Sequence, residues 1–221
     1  KTVQATAAKE VIISTGAVAS PQLLELSGIG QPDLLRSNGV EVKHGLMGVG
    51  EHLRDHINAP VKVHMKHGEL SYNKRMQGMG RAWQVLRYIF QKRGFMSLPS
   101  APMLAFLRTR DDLETPDVQM HIVPYAVKNY KKRQLHDFPG ITMAVYQLRP
   151  ESLGSIHIQS PHASEQPAIN FNFLSDKIDR DVMIGGVRKI RRIMDTDAMR
   201  EVRGDEFLPG RAIETDDQIL D

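Results

Sequence analysis

The stretch Gly16-Ala17-Val18-Ala19-Ser20-Pro21-Gln22-Leu23-Leu24-Glu25-Leu26-Ser27-Gly28-Ile29-Gly30 decides how the first part of the chain is interpreted. It follows Glu10-Val11-Ile12-Ile13-Ser14, a β-branched run that predicts a strand buried on both faces. Ser20-Pro21 predicts the start of a helix with serine as the N-cap, and Ser27-Gly28 predicts its end. This order of strand, turn and helix is typical of a buried-sheet domain, to which we assign residues 1–57.

A shorter helix and a strand are predicted directly after this segment. Pro32 predicts the start of the helix, and Asn38-Gly39 predicts its end. Val40, Val42 and His44 then alternate with charged residues, which predicts a strand with two different faces.

From Pro60 onwards the sequence alternates between apolar and polar residues, which predicts an antiparallel sheet with one packed face and one partly wet face. The alternating segments are 61–65, 118–122, 156–158 and 169–173, and residues 141–148 form a further β-rich run. Helical patterns cover 81–91 and 179–199, and the second places Met183, Val187, Ile190 and Met194 on one face. We therefore predict an α+β fold, in which residues 58–221 form a large antiparallel sheet backed by helices.

Composition excludes several classes of protein. The 221 residues are 41% hydrophobic and 25% charged, which is typical of a globular domain, and no apolar run is long enough for a transmembrane segment. Cysteine is absent, which excludes disulfides and thiolate sites.

The net charge is +3, and the basic clusters at 128–133 and 188–192 contain Tyr130 as their one aromatic residue. A groove for single-stranded nucleic acid needs more stacking side chains, so we predict solvated faces and no nucleic-acid partner.

Common catalytic motifs are also missing. His52 and His56 have the spacing of a zinc-protease helix, but Leu53 stands where that motif needs glutamate, so no metal site is predicted. No G-x-S-x-G elbow and no phosphate-binding loop occurs. Two Gly-x-Gly pairs lack the third glycine of a dinucleotide fingerprint, because Asp33 and Leu53 occupy its position.

Four segments in order resemble the glucose–methanol–choline oxidoreductase family. Gly16 to Gly30 is similar to the family's second signature. The family's G-V-G-x-N/H-L-x-D-H segment is similar to Gly48-Val49-Gly50-Glu51-His52-Leu53-Arg54-Asp55-His56. Arg149 to Ile158 resembles its R-P-x-S-R-G-x-(I/V) element, and Leu208-Pro209-Gly210 with Thr215-Asp216-Asp217 also fits. The choline-dehydrogenase-like alcohol dehydrogenases are the members that look most similar.

The resemblance implies a fold, a cofactor and a reaction. Residues 1–57 would be the remnant of a Rossmann-like FAD-binding domain, and residues 58–221 a substrate-binding domain. The implied reaction is FAD-dependent oxidation of the CH–OH group of a primary alcohol, with hydride transfer to the flavin N5. The substrate would be a small-molecule alcohol, and the electron acceptor stays open between a quinone and oxygen. The alternative is a non-catalytic α+β domain that binds a ligand or a protein.

The resemblance also implies site residues. Ser14, Thr15 and Gly16 would form the turn that approaches FAD, and the helix capped by Ser20 would offer free amides to it. Arg149 would face the substrate cavity, although an ordinary sheet-edge arginine is an equal alternative. Asp55 and His56 would bridge the two domains structurally.

No catalytic residue is assigned, because the family's catalytic histidine belongs to a segment that would follow Asp221. The capping box Thr215-Asp216-Asp217-Gln218 starts a helix close to the last residue, so we expect an internal piece of a longer protein, inactive on its own. Its expected location is cytoplasmic or membrane-peripheral.

Two departures from the family pattern concern the substrate. Leu153 stands where the R-P-x-S-R-G motif has arginine. Choline-specific relatives have an acidic residue four positions before the Phe of an F-x-R element; here that element is Phe106-Leu107-Arg108, and the position holds Pro102. Proline has no negative charge to compensate the positive charge of a quaternary ammonium, so we expect an uncharged alcohol to be preferred to choline.

Overall fold

A computed structural model describes residues 6–99 and 101–221 and contains six α-helices and twelve strands within them. The helices are α1 Gly16–Leu26, α2 Pro32–Ser37, α3 Gly78–Gln91, α4 Lys177–Met194, α5 Asp197–Val202 and α6 Asp216–Leu220. The strands are β1 Ile29–Gly30, β2 His44–Gly45, β3 Glu51–Leu53, β4 Asn58–Met65, β5 Met103–Leu107, β6 Val118–Val123, β7 Val127–Asn129, β8 Gln134–Leu135, β9 Gly140–Gln147, β10 Gly154–His157, β11 Ala168–Asn170 and β12 Arg203–Leu208.

The chain divides into two compact units. The first contains Lys1–Asp55 and Ser152–Ser175, and the second contains His56–Glu151 and Asp176–Asp221. The sequence predicts one domain from residue 58 onwards, whereas in the structure the segment with β10 and β11 belongs to the first unit. The reason is strand pairing: β10 pairs antiparallel with β3 on one side and with β11 on the other. The functional names of the two domains stay predictions.

Helix α1 begins earlier than the sequence predicted. Its N-cap is Thr15, and Pro21 lies inside it, so the prediction of Ser20 as the N-cap is wrong. Ala17-Val18-Ala19 extend the helix in the N-terminal direction, and Pro21, as its sixth residue, removes the hydrogen bond that its amide would donate to the Ala17 carbonyl. The predicted end is confirmed, because Ser27 is the C-cap and Gly28 follows it with φ +86°.

The predicted strand Glu10 to Ser14 is absent. These residues have no regular structure, and the side chains of Val11 and Ile12 are 78% and 79% exposed. A β-branched run forms a strand only when a neighbouring strand pairs with it, and none does so in the described part of the chain. Of the predicted strand from Val40 to His44, only its end forms β2, which pairs in parallel with β1.

The second unit is built on a five-stranded antiparallel sheet in the order β12-β4-β9-β6-β5. In its register Val61 is opposite Met143, and Met120 is opposite Val145. Because side chains alternate across a strand, these residues share one face, and all four are buried. Helix α4 packs on that face, where a Cβ on Gly186 would overlap Val145. The predicted α+β class is confirmed.

The helix patterns of the second unit are confirmed with shifted ends. Met183, Val187, Ile190 and Met194 are all buried on α4, as their spacing predicted. Asp176 caps the helix by accepting a hydrogen bond from the Ile178 amide at 2.7 Å. The predicted long helix stops at Asp195, and α5 follows as a separate helix. The capping box of Thr215 and Gln218 is present at α6.

Candidate functional site

The predicted cofactor residues of the first unit lie around the start of α1. Gly16 has φ +89°, and no atom lies within 4 Å of the position that its Cβ would occupy. No side chain caps the N-terminus of α1, and its first turn contains no acidic residue. The first amides of α1 therefore lack intrahelical partners and face no side-chain acceptor there. The hydroxyls of Thr15 and Ser20 are hydrogen-bonded to each other at 3.1 Å.

A cavity of about 550 Å³ in the first unit joins two of the family-like segments. Ser20 and Leu24 of α1 line one side, and residues 48–54 line the other. The fold thus brings Ser20 next to the G-V-G-E-H-L-R-D segment, whereas Ser14, Thr15 and Gly16 do not line this cavity.

Glu25, in the interior of the first unit, links helix α1 to strand β10 through hydrogen bonds. Its side chain is fully buried, and its two carboxylate oxygens accept from His157 Nδ1 at 2.7 Å and from the Ile158 amide at 2.8 Å. The other ring nitrogen of His157 lies 3.0 Å from Glu51 Oε1, which also accepts from Gln31 Nε2 at 2.6 Å. The sequence does not predict this cluster, because no local pattern relates residues so far apart in the chain.

A second cavity, of about 1120 Å³, lies in the second unit. Its floor is the sheet face opposite α4, as the register requires, and its walls come from α3, from residues near Phe95 and from the β7–β8 hairpin. The floor residues are Asn58, Pro60, His121, Val123, Thr142, Ala144 and Tyr146. The wall residues include Met76, Arg81, Val85, Phe95, Tyr125, Val127, Lys132, Arg133 and Leu135.

The charges around this cavity have one sign. Arg81, Lys132 and Arg133 line it, and no Asp or Glu does so in the part of the chain that the structure describes. The two arginines also line an adjoining cavity of about 310 Å³ together with Lys128 and Asp137. A cation that enters the larger cavity would meet repulsion and no compensating carboxylate.

Hydroxyl and imidazole groups are the polar features of the larger cavity. The rings of His121 and Tyr146 are in contact, with 4.5 Å between their centroids and a tilt of 41° between their planes. The Thr142 hydroxyl donates to the Tyr125 carbonyl at 2.8 Å. Burial, and secondly the neighbouring Tyr130, raise the pKa of the Tyr125 phenol. The Tyr125 hydroxyl therefore stays protonated at neutral pH. The hydroxyl and imidazole groups of the lining can orient a hydroxyl-bearing ligand.

Arg149 and Pro102, the residues predicted for a substrate cavity, do not line this cavity. The Arg149 guanidinium donates to the Thr115 hydroxyl at 3.2 Å and to the Pro116 carbonyl at 3.0 Å. Pro102 does not line the cavity, whereas its neighbour Ala101 does. Arg81 and Arg133, which do line it, were missed, because an exposed arginine carries no sequence signal for the cavity that it borders.

Metal-binding clusters and membrane-spanning helices are both absent from residues 6–99 and 101–221. No group of three or more His, Asp or Glu side chains there could hold a metal ion. No helix in those ranges combines the length and the apolar character needed to cross a bilayer.

Comparison with known proteins identifies the family. Two family models, each described as GMC oxidoreductase, match residues 1–58 and residues 150–221. The chain belongs to the glucose–methanol–choline oxidoreductase family. The predicted resemblance is thereby confirmed, and this family uses FAD as its cofactor.

Curated relatives of the chain include the oxygen-dependent choline dehydrogenases of Photobacterium profundum and Staphylococcus epidermidis. They are 35% and 36% identical over 212 and 218 residues, which is 96% and 97% of this chain. The chain spans 37% of the length of each.

Solved structures show the same fold. A formate oxidase from Aspergillus oryzae matches with a TM-score of 0.84 at 22% identity, over 96% of this chain and 42% of that one. A fungal aryl-alcohol oxidase matches with a TM-score of 0.74 at 21% identity, and the match covers 95% of this chain and 42% of that one.

Proposed function

We propose that the protein containing this chain is an FAD-dependent oxidoreductase that acts on the CH–OH group of a primary alcohol. The observation that carries the proposal is the cavity of about 1120 Å³ on the open face of the antiparallel sheet, in a chain of the GMC family. In this proposal the second unit supplies the wall that receives the alcohol, and the first unit supplies part of the flavin site.

The residues at the start of α1 fit a bound flavin. Gly16 leaves open space for a ligand, and the uncapped first turn offers amides to polar groups. We propose that Ser14, Thr15 and Gly16 contact the cofactor through backbone groups and that Ser20 supports them through its bond to Thr15. Bound FAD would supply the acceptor for the hydride that leaves the alcohol carbon.

The cavity residues are proposed to bind and orient the alcohol. Apolar side chains such as Val85, Val123 and Leu135 would cover its carbon chain and exclude water. The hydroxyls of Tyr125 and Tyr146 would orient its polar end. No histidine of this chain is proposed as the base that takes the hydroxyl proton.

We further propose that an uncharged alcohol is preferred to choline. The relatives named above are choline dehydrogenases, but here the described cavity lining contains three basic side chains and no carboxylate. Desolvating a quaternary ammonium without a counter-charge is unfavourable, so the pattern supports a neutral substrate.

The flavin absorbance of the full-length protein, at about 450 nm, tests the reaction class. We expect a yellow protein that is bleached anaerobically by a medium-chain primary alcohol. A colourless protein that stays inert after FAD is added would contradict the proposal and favour a non-catalytic binding domain. Oxygen consumption, compared with quinone reduction in the same turnover, distinguishes the two acceptors.

Substrate preference is tested by comparing kcat/KM for choline with kcat/KM for that alcohol. We expect the wild type to have the higher kcat/KM for the alcohol. The double variant Arg81→Gln/Arg133→Gln should raise kcat/KM for choline several-fold relative to kcat/KM for the alcohol. Lys177→Gln, which removes an exposed cation on α4, is the matched control. A wild-type preference for choline of ten-fold or more, about 1.4 kcal/mol in the transition state, would contradict a neutral substrate.

A further inference from the structure

Helix α3 presents its apolar side to solvent. Met79, Trp83, Leu86 and Phe90 follow one another at intervals of three or four residues and therefore share one face. They are 90%, 65%, 47% and 80% exposed, and Ile89 beside them is 54% exposed. We call these five residues the α3 stripe. None of the residues of α3 is buried.

The other side of α3 faces the protein with more polar groups. The Gln84 side chain accepts a hydrogen bond from the Phe95 amide at 3.3 Å, and Arg81 and Val85 line the large cavity. An ordinary surface helix buries its apolar side and exposes its polar side. The opposite orientation here leaves a contiguous apolar surface, including an exposed tryptophan, which is typical of an interaction site.

The sequence segment that contains the α3 stripe carries only positive charges. Residues 70–93 contain Lys74, Arg75, Arg81, Arg87, Lys92 and Arg93 and no Asp or Glu. The ion pairs between described residues include none of these six side chains. Lys92 lies over the Tyr88 ring, with 5.1 Å from its Nζ to the ring centroid. The cations beside the stripe are therefore available to an external anion.

A small cavity beside α3 gathers three of these cations. Its volume is about 310 Å³, and Arg75, Arg87 and Arg93 line it together with Tyr72, Gln84 and Ser97. No acidic side chain in the described lining neutralises them. Guanidinium groups pair with phosphate through two parallel hydrogen bonds, so this cavity has the chemistry of a site for a phosphate monoester or diester.

We propose that α3 docks on the surface of an anionic phospholipid bilayer. The α3 stripe enters the boundary between headgroups and acyl chains, and the cavity of Arg75, Arg87 and Arg93 receives a lipid phosphate. An amphipathic helix with aromatic residues on one face and basic residues beside it binds membranes in this way. The inference does not depend on the reaction that the protein catalyses.

Charge favours a bilayer over a second copy of the chain. A two-fold dimer through this surface would bring the same six cations of each copy together without an intervening carboxylate. Like charges facing one another oppose association, whereas the phosphates of a bilayer attract these cations.

Vesicle binding by the full-length protein tests the proposal. Sedimentation is measured with vesicles of phosphatidylcholine alone and with vesicles that contain about 30% phosphatidylglycerol. We expect at least ten-fold stronger partitioning to the anionic vesicles. Trp83→Ser/Phe90→Ser should weaken this binding at least ten-fold, and Arg75→Gln/Arg87→Gln/Arg93→Gln should abolish the preference for phosphatidylglycerol.

The matched control is Phe106→Ser/Ile178→Ser, which removes two side chains that are 56% and 52% exposed outside α3. It should bind within two-fold of the wild type. The melting temperature of each variant shows whether it is folded. Wild-type protein that stays in the supernatant, or a Trp83→Ser/Phe90→Ser variant that binds like wild type, would overturn the proposal. So would a wild-type dimer that this variant dissociates while neither protein binds vesicles.

Fluorescence provides a readout that does not depend on a disruptive variant. Trp83 is the one tryptophan of this chain. Anionic vesicles should shift the emission of the wild type to shorter wavelength, and Trp83→Phe should keep the binding but lose that part of the shift. The same shift in wild type and Trp83→Phe would show that Trp83 does not enter the bilayer and would overturn the docking geometry.

Discussion

Glu25 and His157 are hydrogen-bonded at 2.7 Å between carboxylate oxygen and ring nitrogen, although 132 residues separate them in the chain. Glu25 lies in α1 and His157 in β10, so the contact joins the two chain segments of the first unit. The second carboxylate oxygen accepts from the Ile158 amide, which leaves neither oxygen of this fully buried group without a donor.

Removing the Glu25 carboxylate should destabilise the protein. Glu25→Ala leaves the His157 ring and the Ile158 amide without their acceptor, and we expect a loss of about 2–3 kcal/mol in the free energy of unfolding. Urea unfolding followed by circular dichroism measures it. Glu165→Ala is the control, because that side chain is exposed and should change stability by less than about 0.5 kcal/mol. Equal stability of the two variants would show that the cluster contributes nothing.

Gly186 is expected to tolerate no larger side chain. Alanine normally stabilises a helix relative to glycine, but here its Cβ would overlap Val145 on the sheet. We expect Gly186→Ala to lose about 1–3 kcal/mol. The double variant Gly186→Ala/Val145→Ala makes room and should show favourable coupling in a double-mutant cycle. Strictly additive effects of the two changes would contradict direct contact between α4 and β9 at this point.

His136 should make stability depend on pH. Burial, followed by the positive charges of Lys62 and Lys128, lowers its pKa; His64 acts in the same direction, and Asp137 opposes them. The unfolded chain then binds a proton at higher pH than the folded protein does, so stability is lost as pH falls below about 6.5.

Melting temperatures at pH 7.5 and pH 5.5 measure this effect. His136→Phe, which keeps an aromatic ring next to Phe138, should show a smaller decrease over this interval than the wild type. His162→Gln changes an exposed histidine, and this variant should have the melting temperature of the wild type at both pH values. A decrease that is identical in wild type and His136→Phe would exclude His136 as its source.

Arg191 and Glu206 should form a strong ion pair between α4 and β12. The Arg191 guanidinium donates twice to Glu206, at 2.7 and 3.1 Å, and also to the carbonyls of Gly210 and Ile213. Lysine cannot reproduce this fork, so we expect Arg191→Lys to lose about 2 kcal/mol in the free energy of unfolding.

The control for that prediction is Arg188→Lys, one turn earlier on the same helix. Arg188 pairs with Asp216, but both side chains are about half exposed, so its loss should be below about 0.5 kcal/mol. Comparable losses for the two lysine variants, measured by urea unfolding, would mean that burial does not strengthen the Arg191 pair.

The sequence by itself determined the elements that depend on local chemistry. Period-two alternation located β4 and β6, because apolar side chains at every second position form the packed face of the sheet. A run rich in β-forming residues located β9, which is buried along nearly its whole length. The spacing of Met183, Val187, Ile190 and Met194 determined which side of α4 is buried. The family-like segments in order identified the family, because they record residue types at fixed local spacing.

The sequence left open how strands pair and what long-range contacts surround a side chain. Alternation predicted a strand near Ile156 but not that β10 would join β3 instead of the large sheet. The run Glu10 to Ser14 has strand composition but no partner among the described strands, so it forms none.

Only the tertiary structure decided the surroundings of the candidate site. It brought Glu25 to His157, placed Arg81 and Arg133 at one cavity, and turned Arg149 toward Thr115 and Pro116. The physical reason is that hydrogen bonds and cavities join residues from distant parts of the chain. Local spacing specifies the faces of a helix or strand, but packing of the whole chain decides what each face meets.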